Sequence, residues 1–429
     1  MPSLPMHVAG NVDAARLRER LTRLYEIGHE PGYEGAMRLA FSAADKRGRD
    51  YVLSLMQEAN LSPRIDAAGN LIGVRRGVAA DAPALIIGSH IDTVPGGGMF
   101  DGALGVIGGI EALAAMDAAG HQTHHAVEVI AFSNEEKARF TTPFGGSAAM
   151  VRGVDPAMLV DVTDSAGIAL TDAMQAVGLD PTRIADARRP AGFCRGYIEL
   201  HVEQGGRLEK RSLSIGIVTA IVGITRARLT FRGMANHAGT TMMEDRRDAL
   251  WAAAELVGDV RSAALAELGE LVGTVGLLQV TPGAANVVPG QARLVIELRS
   301  ADEARTSRVL DDLLRRATAH AATYGLELEV ESHRVGRSVP MDEQVQSAVE
   351  EAAAALQLPH ARVASWAGHD ASTFASICPT GMIFVPSIGG ISHSPAERTA
   401  WDDITAGVKV LAAAVCDLDQ RLDKGAASR

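Results

Sequence analysis

The sequence predicts an α/β protein: a mostly parallel-sheet domain with a smaller ferredoxin-like βαββαβ domain inserted into it. Three observations carry that prediction. An apolar strand, a small-residue helix and a second apolar strand follow one another within 84–133. Residues 213–334 then run strand, helix, strand, strand, helix, strand. After them the first kind of pattern resumes. A chain of 429 residues exceeds one ordinary domain of roughly 100–200 residues. We therefore assign 1–212 and 335–429 to the larger domain and 213–334 to the insert.

Taken in order, residues 14–59 carry two stretches of helical apolar periodicity. "RIDAAGNLIGVRRG" reads as a hairpin with Gly69 and Asn70 near its turn. "ALIIGSH" is short and continuously apolar, as a strand covered on both faces must be. Residues 102–119, "GALGVIGGIEALAAMDAA", form a helix rich in small residues, and "HAVEVIAFS" is the next strand. Strand, helix, strand implies a right-handed crossover between parallel strands, with functional residues beyond the strands' C-terminal ends. "GYIELHVEQGGRLE" reads as another strand end. The insert contains the strand "LSIGIVTAIVGITRARLTFRG", a helix over 245–266, the strands "LVGTVGLLQV" and "QARLVIELRS", a helix over 302–322 and the strand "LELEVESHRV". A helix over 342–356, the stretch "GHDASTFASI", the strand "GMIFVP" and a closing helix through "WDDITAGVKVLAAAVCDLDQRL" complete the larger domain.

Composition narrows the function. Hydrophobic residues make up 47% and charged residues 22%, and no run approaches the roughly 18–20 apolar residues of a membrane span. The N-terminus has no basic region followed by an apolar stretch and a cleavage site, so the expected location is the cytoplasm. Cys194, Cys378 and Cys416 show no paired or metal-type spacing, which fits a reducing compartment and buried thiols. The net charge of −11 argues against nucleic-acid or anionic-membrane surfaces, which require basic patches. A small molecule is the expected partner.

Thirteen histidines are present. His7, His29, His121, His124, His125, His320, His333 and His360 lie in polar or helix-edge settings and are expected at the surface. Others stand beside acids at strand ends or in Gly-rich turns. In "GSHIDTVPGGGMFDGALGV", His90 ends a strand, Asp92 follows on the same face, and a Gly-rich turn brings Asp101 to the next helix. Asp92 is placed to accept from the ring N–H and fix the His90 tautomer. Asp101 has the two oxygens needed to bridge two cations. "SNEEKARF" puts Glu135 and Glu136 at the end of the neighbouring strand, where an arbitrary acidic pair would be solvated surface charge. His201 in "ELHVEQG" and His393 in "GGISHSPAE" complete the set. Histidine and carboxylate in this mixture suit two borderline divalent ions such as Zn, Mn, Co or Ni.

The strings "HIDTVPGGGMFDGALGV", "SNEEKARF", "ELHVEQG", "NHAGTT" and "GGISHSPAE" resemble the dinuclear-metal amidohydrolases of the M20 peptidase superfamily, more narrowly its hydantoinase/carbamoylase branch. The resemblance extends in consistent order from about residue 15 to 420. It implies a catalytic domain with an inserted lid and dimerisation domain, two divalent ions per subunit and a homodimer. It implies that His90 and His201 hold one metal, Glu136 and His393 the other, with Asp101 bridging and Glu135 as general base. The matching position of His237 stabilises the tetrahedral intermediate, and those of Asn286 and Arg299 hold a substrate carboxylate, for which a planar guanidinium is apt. Gln204 and His369 match positions that contact the substrate. The implied reaction is hydrolysis of a linear amide or ureido C–N bond in a small carboxylate-bearing substrate, foremost an N-carbamoyl-L-amino acid giving amino acid, CO2 and ammonia. Allantoate or another N-acyl-amino acid is the alternative substrate. A non-catalytic metal-binding scaffold is the alternative of another class, and the spare carboxylate of Glu135 speaks against it. Lys137, Gly206, Met242 and Trp366 depart from the branch, where glycine, proline, proline and a small residue are usual. A large ring at 366 is expected to narrow or flatten the pocket mouth.

Overall fold

The computed structural model of the chain describes residues 4–79, 81–142 and 144–426, with the side chains at 333, 334 and 423–426 outside that description. The chain forms two compact units, Met1–Thr219 with Met341–Arg429, and Ala220–Pro340. Its strands are β1 Ser62–Ile65, β2 Leu71–Arg75, β3 Ala84–His90, β4 Val127–Phe132, β5 Cys194–Val202, β6 Ile215–Ile221, β7 Gly223–Arg232, β8 Asn236–His237, β9 Val272–Thr281, β10 Val287–Val288, β11 Gln291–Ser300, β12 Glu327–Gly336, β13 Val339–Pro340, β14 His360–Ser365 and β15 Thr380–Val385.

The larger sheet has the order β1-β2-β4-β3-β5-β15-β6-β13, with β14 paired to β6. Its centre, β4-β3-β5-β15, is parallel throughout, while β2 and β6 join that centre antiparallel. Every residue of β3, β4 and β15 is buried, as their continuous apolar runs require. The helix Ala103–Ala118 crosses between β3 and β4 and is buried on nearly every side. Its small residues allow that: a Cβ on Gly105 would stand 2.5 Å from the Leu200 carbonyl oxygen. The closing helix Trp401–Ala426 packs on the same core through Ile404, Val408 and Leu411. Each such fully buried side chain stabilises by roughly 1.5–3 kcal/mol relative to exposure.

The smaller sheet has the order β12-β7-β11-β9 with all neighbours antiparallel, the ferredoxin-like arrangement. The helices Ala249–Ala266 and Glu303–Thr323 bury Leu256, Val260, Val309 and Leu313 against Leu229, Phe231, Leu294 and Ile296. The predicted α/β class with a separate antiparallel insert is the class observed.

Two local expectations fail. The run 213–233 is two strands, because β6 pairs with β15 in the larger sheet and β7 pairs with β11 and β12 in the smaller one. His121 and His125 are buried, and His125 Nδ1 lies 3.0 Å from Asp419 Oδ1; an acid 294 residues away supplies the polar setting that allows this. The side chain of His333 lies outside the described residues. Cys194 and Cys378, distant in sequence, bring their sulfurs to 3.0 Å at the start of β5 and just before β15. No helix among the described residues is long and apolar enough to cross a membrane.

Candidate active site

Parallel register builds the first half of the site. His90 closes β3 level with Phe132, the last residue of β4. Ile87 pairs with Ile198, so three residues further along both strands His90 comes beside His201, and their rings lie 5.9 Å apart. Both side chains are buried. His90 Nδ1 is 3.0 Å from the Asp92 carbonyl, and His201 Nδ1 is 2.9 Å from the Val202 carbonyl. A carbonyl only accepts, so each Nδ1 carries a proton, and Nε2 is the nitrogen left to bind a cation once its own proton is displaced.

The crossover returns Asp101 to this point. Gly102 makes the approach possible: its φ is +64°, and a Cβ there would stand 2.4 Å from the His90 ring. Asp101 Oδ1 lies 3.6 Å from His90 Nε2 and 3.2 Å from His201 Nε2. Asp101 Oδ2 faces the other way, 3.3 Å from His393 Nε2, which is itself 3.5 Å from Glu136 Oε2. Two groups of donor atoms result, His90–Asp101–His201 and Asp101–Glu136–His393, each within 4.8 Å. Imidazole and carboxylate donors converging in threes, with one carboxylate common to both, fit two divalent cations. A third group, Glu199–His201–His369, shares His201. Its Glu199 already accepts from Ser89, Tyr197 and the Ala371 N–H, so its oxygens are committed to the fold.

Electrostatics support the same reading. Burial pushes Glu136 up to about 8, reinforced by Asp101 and Glu135 and opposed by His90. Burial likewise raises Glu135. Burial would lower His90 and His201, yet the surrounding carboxylates dominate, so His90 is held well above the ordinary imidazole value and His201 is raised to about 9. The Asp101 hydrogen bond raises His393 to about 9. Carboxylates and imidazoles that hold protons this firmly form a site whose protons a divalent ion would displace.

Glu135 Oε2 lies 3.9 Å from His90 Nε2, beside the first group but outside both. Asp92 is placed differently from the expectation. Its carbonyl, not its carboxylate, meets His90 Nδ1; the carboxylate accepts from the Glu135 and Glu136 N–H groups, both at 3.2 Å, and so anchors the acidic pair. Gln204 Nε2 donates to Asp101 Oδ2 at 2.8 Å. His369 stacks edge-on against His201 at 4.6 Å, and its Nε2 lies 3.0 Å from Ser365 Oγ. Asp370 precedes the helix Ala371–Phe374 but makes no side-chain cap; the Ser372 and Thr373 N–H groups go to the His369 and Asp370 carbonyls. Asn134, Lys137, Gln204 and His393 all have positive φ, a concentration of backbone strain at one site. Lys137, at +52°, shows why glycine is usual there; Met242, at φ −62°, keeps a backbone that proline would adopt. Gly206 has φ −103°, outside that range. The Trp366 ring lies under the Arg207 guanidinium at 4.2 Å.

The smaller unit holds the remaining predicted residues. His237 in β8 pairs with Val287 of β10, and the Asn286 carbonyl accepts from the Ala238 N–H at 2.9 Å, which brings the two segments together. Arg299 is the last residue but one of β11 and is ion-paired with Glu297 at 2.7 Å. Sequence reasoning missed Glu397, a buried carboxylate that accepts from the Phe100 and Asp101 N–H groups at 2.8 and 3.2 Å. Its position four residues after His393 was the only available signal.

A buried histidine–carboxylate centre at the C-terminal ends of parallel strands, with one more carboxylate beside it, marks a hydrolytic α/β enzyme. The chain belongs to peptidase family M20/M25/M40, whose model matches residues 86–417, and it is an amidohydrolase. It is 42% identical to an N-carbamoyl-L-amino acid amidohydrolase of Geobacillus stearothermophilus, covering 95% of this chain and 99% of that one. It is 34% identical to an allantoate deiminase of Arabidopsis thaliana, covering 92% and 81% respectively. A hydantoinase/carbamoylase family amidase of Burkholderia multivorans has the same fold, with a TM-score of 0.85, 34% identity and coverage of 95% and 98%.

Proposed function

We propose that the chain hydrolyses the linear ureido bond of an N-carbamoyl-L-amino acid, giving the amino acid, CO2 and ammonia. The observation that carries this is Glu135, a carboxylate 3.9 Å from His90 Nε2 and outside both donor groups, in a chain 42% identical to an enzyme named for that substrate. His90, His201, Glu136, His393 and Asp101 would hold two divalent ions, of the Zn, Mn, Co or Ni type. Such ions, when bound, acidify water and polarise the scissile carbonyl. Glu135 takes the proton from the attacking water and returns it to the leaving nitrogen, a role its raised pKa suits. Asp92 keeps Glu135 in place through the backbone. Gln204 and His369 lie beside the donor atoms and are assigned to substrate contact.

His237, Asn286 and Arg299 are assigned to the substrate as well, His237 to the tetrahedral intermediate and the other two to its carboxylate. A planar guanidinium is apt for a carboxylate, and Arg299 makes such a pair with Glu297. We further propose a cytoplasmic homodimer joined through the smaller unit, the assigned lid and dimerisation domain. Its edge strand β9 exposes Val272, Leu277 and Leu278, an edge that a second copy would cover. The similarity to an allantoate deiminase favours allantoate as the second reading. Metal-loaded protein incubated with N-carbamoyl-methionine, allantoate and N-acetyl-methionine separates these. Ammonia from the first alone is the expected result; ammonia from allantoate, or acetate from the third, assigns the other substrate.

A further inference from the structure

We infer that Glu397 is a positioning residue that ties the bridging aspartate to the His393 loop and thereby retains the ion of the Glu136–His393 half in particular. The inference rests on the two-ion reading above and adds a residue to it.

Glu397 is 1% exposed and 296 residues from Asp101, yet one oxygen accepts from the Phe100 N–H at 2.8 Å and the Asp101 N–H at 3.2 Å. Its other oxygen is 3.0 Å from Ser392 Oγ, which is also 3.0 Å from Asp101 Oδ2. The Gly-rich turn is shaped around this carboxylate, because a Cβ on Gly98 would stand 2.2 Å from Glu397 Oε1. One buried side chain thus fixes both the backbone of Asp101 and the residue preceding His393.

The two halves depend on it unequally. His90 and His201 sit at strand ends with Nδ1 fixed by carbonyls of Asp92 and Val202. His393 belongs to a loop, has a φ of +52°, and its side chain is 48% exposed. The Ser392 hydroxyl also bears on Oδ2, the Asp101 oxygen that faces His393, and not on Oδ1, which faces the other two imidazoles. Removing Glu397 therefore loosens one ion more than the other.

The test compares wild type, Glu397→Ala and Glu397→Gln, each loaded with Zn and dialysed against a weak chelator, with metal counted by mass spectrometry. Amide exchange at Phe100 and Asp101 is followed in the metal-free proteins. Wild type is expected to keep two ions and Glu397→Ala one, with at least tenfold faster exchange at both amides. Glu397→Gln should keep two, since its amide oxygen still accepts both N–H groups and its NH2 can donate to Ser392. Wild type holding fewer than two ions overturns the two-ion reading and this assignment with it. Wild type and Glu397→Ala both holding two, or Glu397→Ala losing both, overturns the assignment alone. If Glu397→Ala does not fold, Ser392→Ala cuts the same link more gently and must lose the same single ion.

Discussion

The two halves of the candidate centre are built in different ways. His90 and His201 come off neighbouring parallel strands, are buried, and have their tautomers set by carbonyls one or two residues away. Glu136 and His393 come from loops separated by more than 250 residues, and His393 is half exposed. Sheet hydrogen bonding therefore fixes one half, whereas a few long-range polar contacts place the other. Rigid elements hold donors to tighter tolerances than loops do. The loop half is where ion loss and adjustment should concentrate.

The largest expected effect tests whether Glu135 belongs to either half. Glu135→Gln should lower kcat by about 10²–10⁴-fold, the range for a lost general base, while both ions remain bound. Loss of an ion in that variant would make Glu135 a ligand and redraw the comparison.

Next comes stability. His201→Ala removes a buried group facing Asp101 and Glu199 and should destabilise the metal-free protein by about 3 kcal/mol, as breaking a buried pair does. His393→Ala should cost under about 1 kcal/mol, because the His393 side chain is itself half exposed. Equal shifts in the denaturant midpoint would remove the distinction between a strand-held and a loop-held half.

A smaller effect is expected at Asp92. Asp92→Asn keeps the carbonyl that holds His90 but places an NH2 against one of the two N–H groups of Glu135 and Glu136. Affinity for the ion of the Glu136 half and kcat should each fall about tenfold, as is usual for residues supporting metal ligands. Weakening of the His90 half instead would restore the expectation that the carboxylate holds His90.

The smallest signal is in protons. Raised to about 9, His201 and His393 are largely protonated at neutral pH in the metal-free protein, and Glu136, at about 8, is too. Ion binding must displace those protons, so apparent affinity should rise with pH from 7 to 9. Calorimetry in buffers of different ionisation enthalpy should show proton release at pH 7.5 that fades above about 9.5.

Much of this was legible in the chain. Continuous apolar runs such as "ALIIGSH" fit doubly covered strands, and a donor at the end of such a strand lies at the sheet's C-terminal rim. That is why His90, Glu136 and His201 could be placed together from local pattern. The order of elements likewise announced the insert, though the switch from β6 to β7 left no mark, because both strands carry the same β-branched residues.

What escaped were the hydrogen bonds whose partners are remote. The carboxylate of Asp92 accepts from the Glu135 and Glu136 N–H groups and only stands 3.8 Å from the neighbouring imidazole, whose hydrogen bond goes to the Asp92 carbonyl, and His125 is buried on the far-off Asp419. Glu397 is invisible as a support for Asp101 until 296 residues of chain are folded. By itself the sequence determined the strands, the helices and the donors at their ends, since periodicity and residue chemistry are local properties. Only the tertiary structure decided which oxygen meets which N–H, because strand register and loop return set distances to tenths of an ångström and hydrogen bonds depend on those distances.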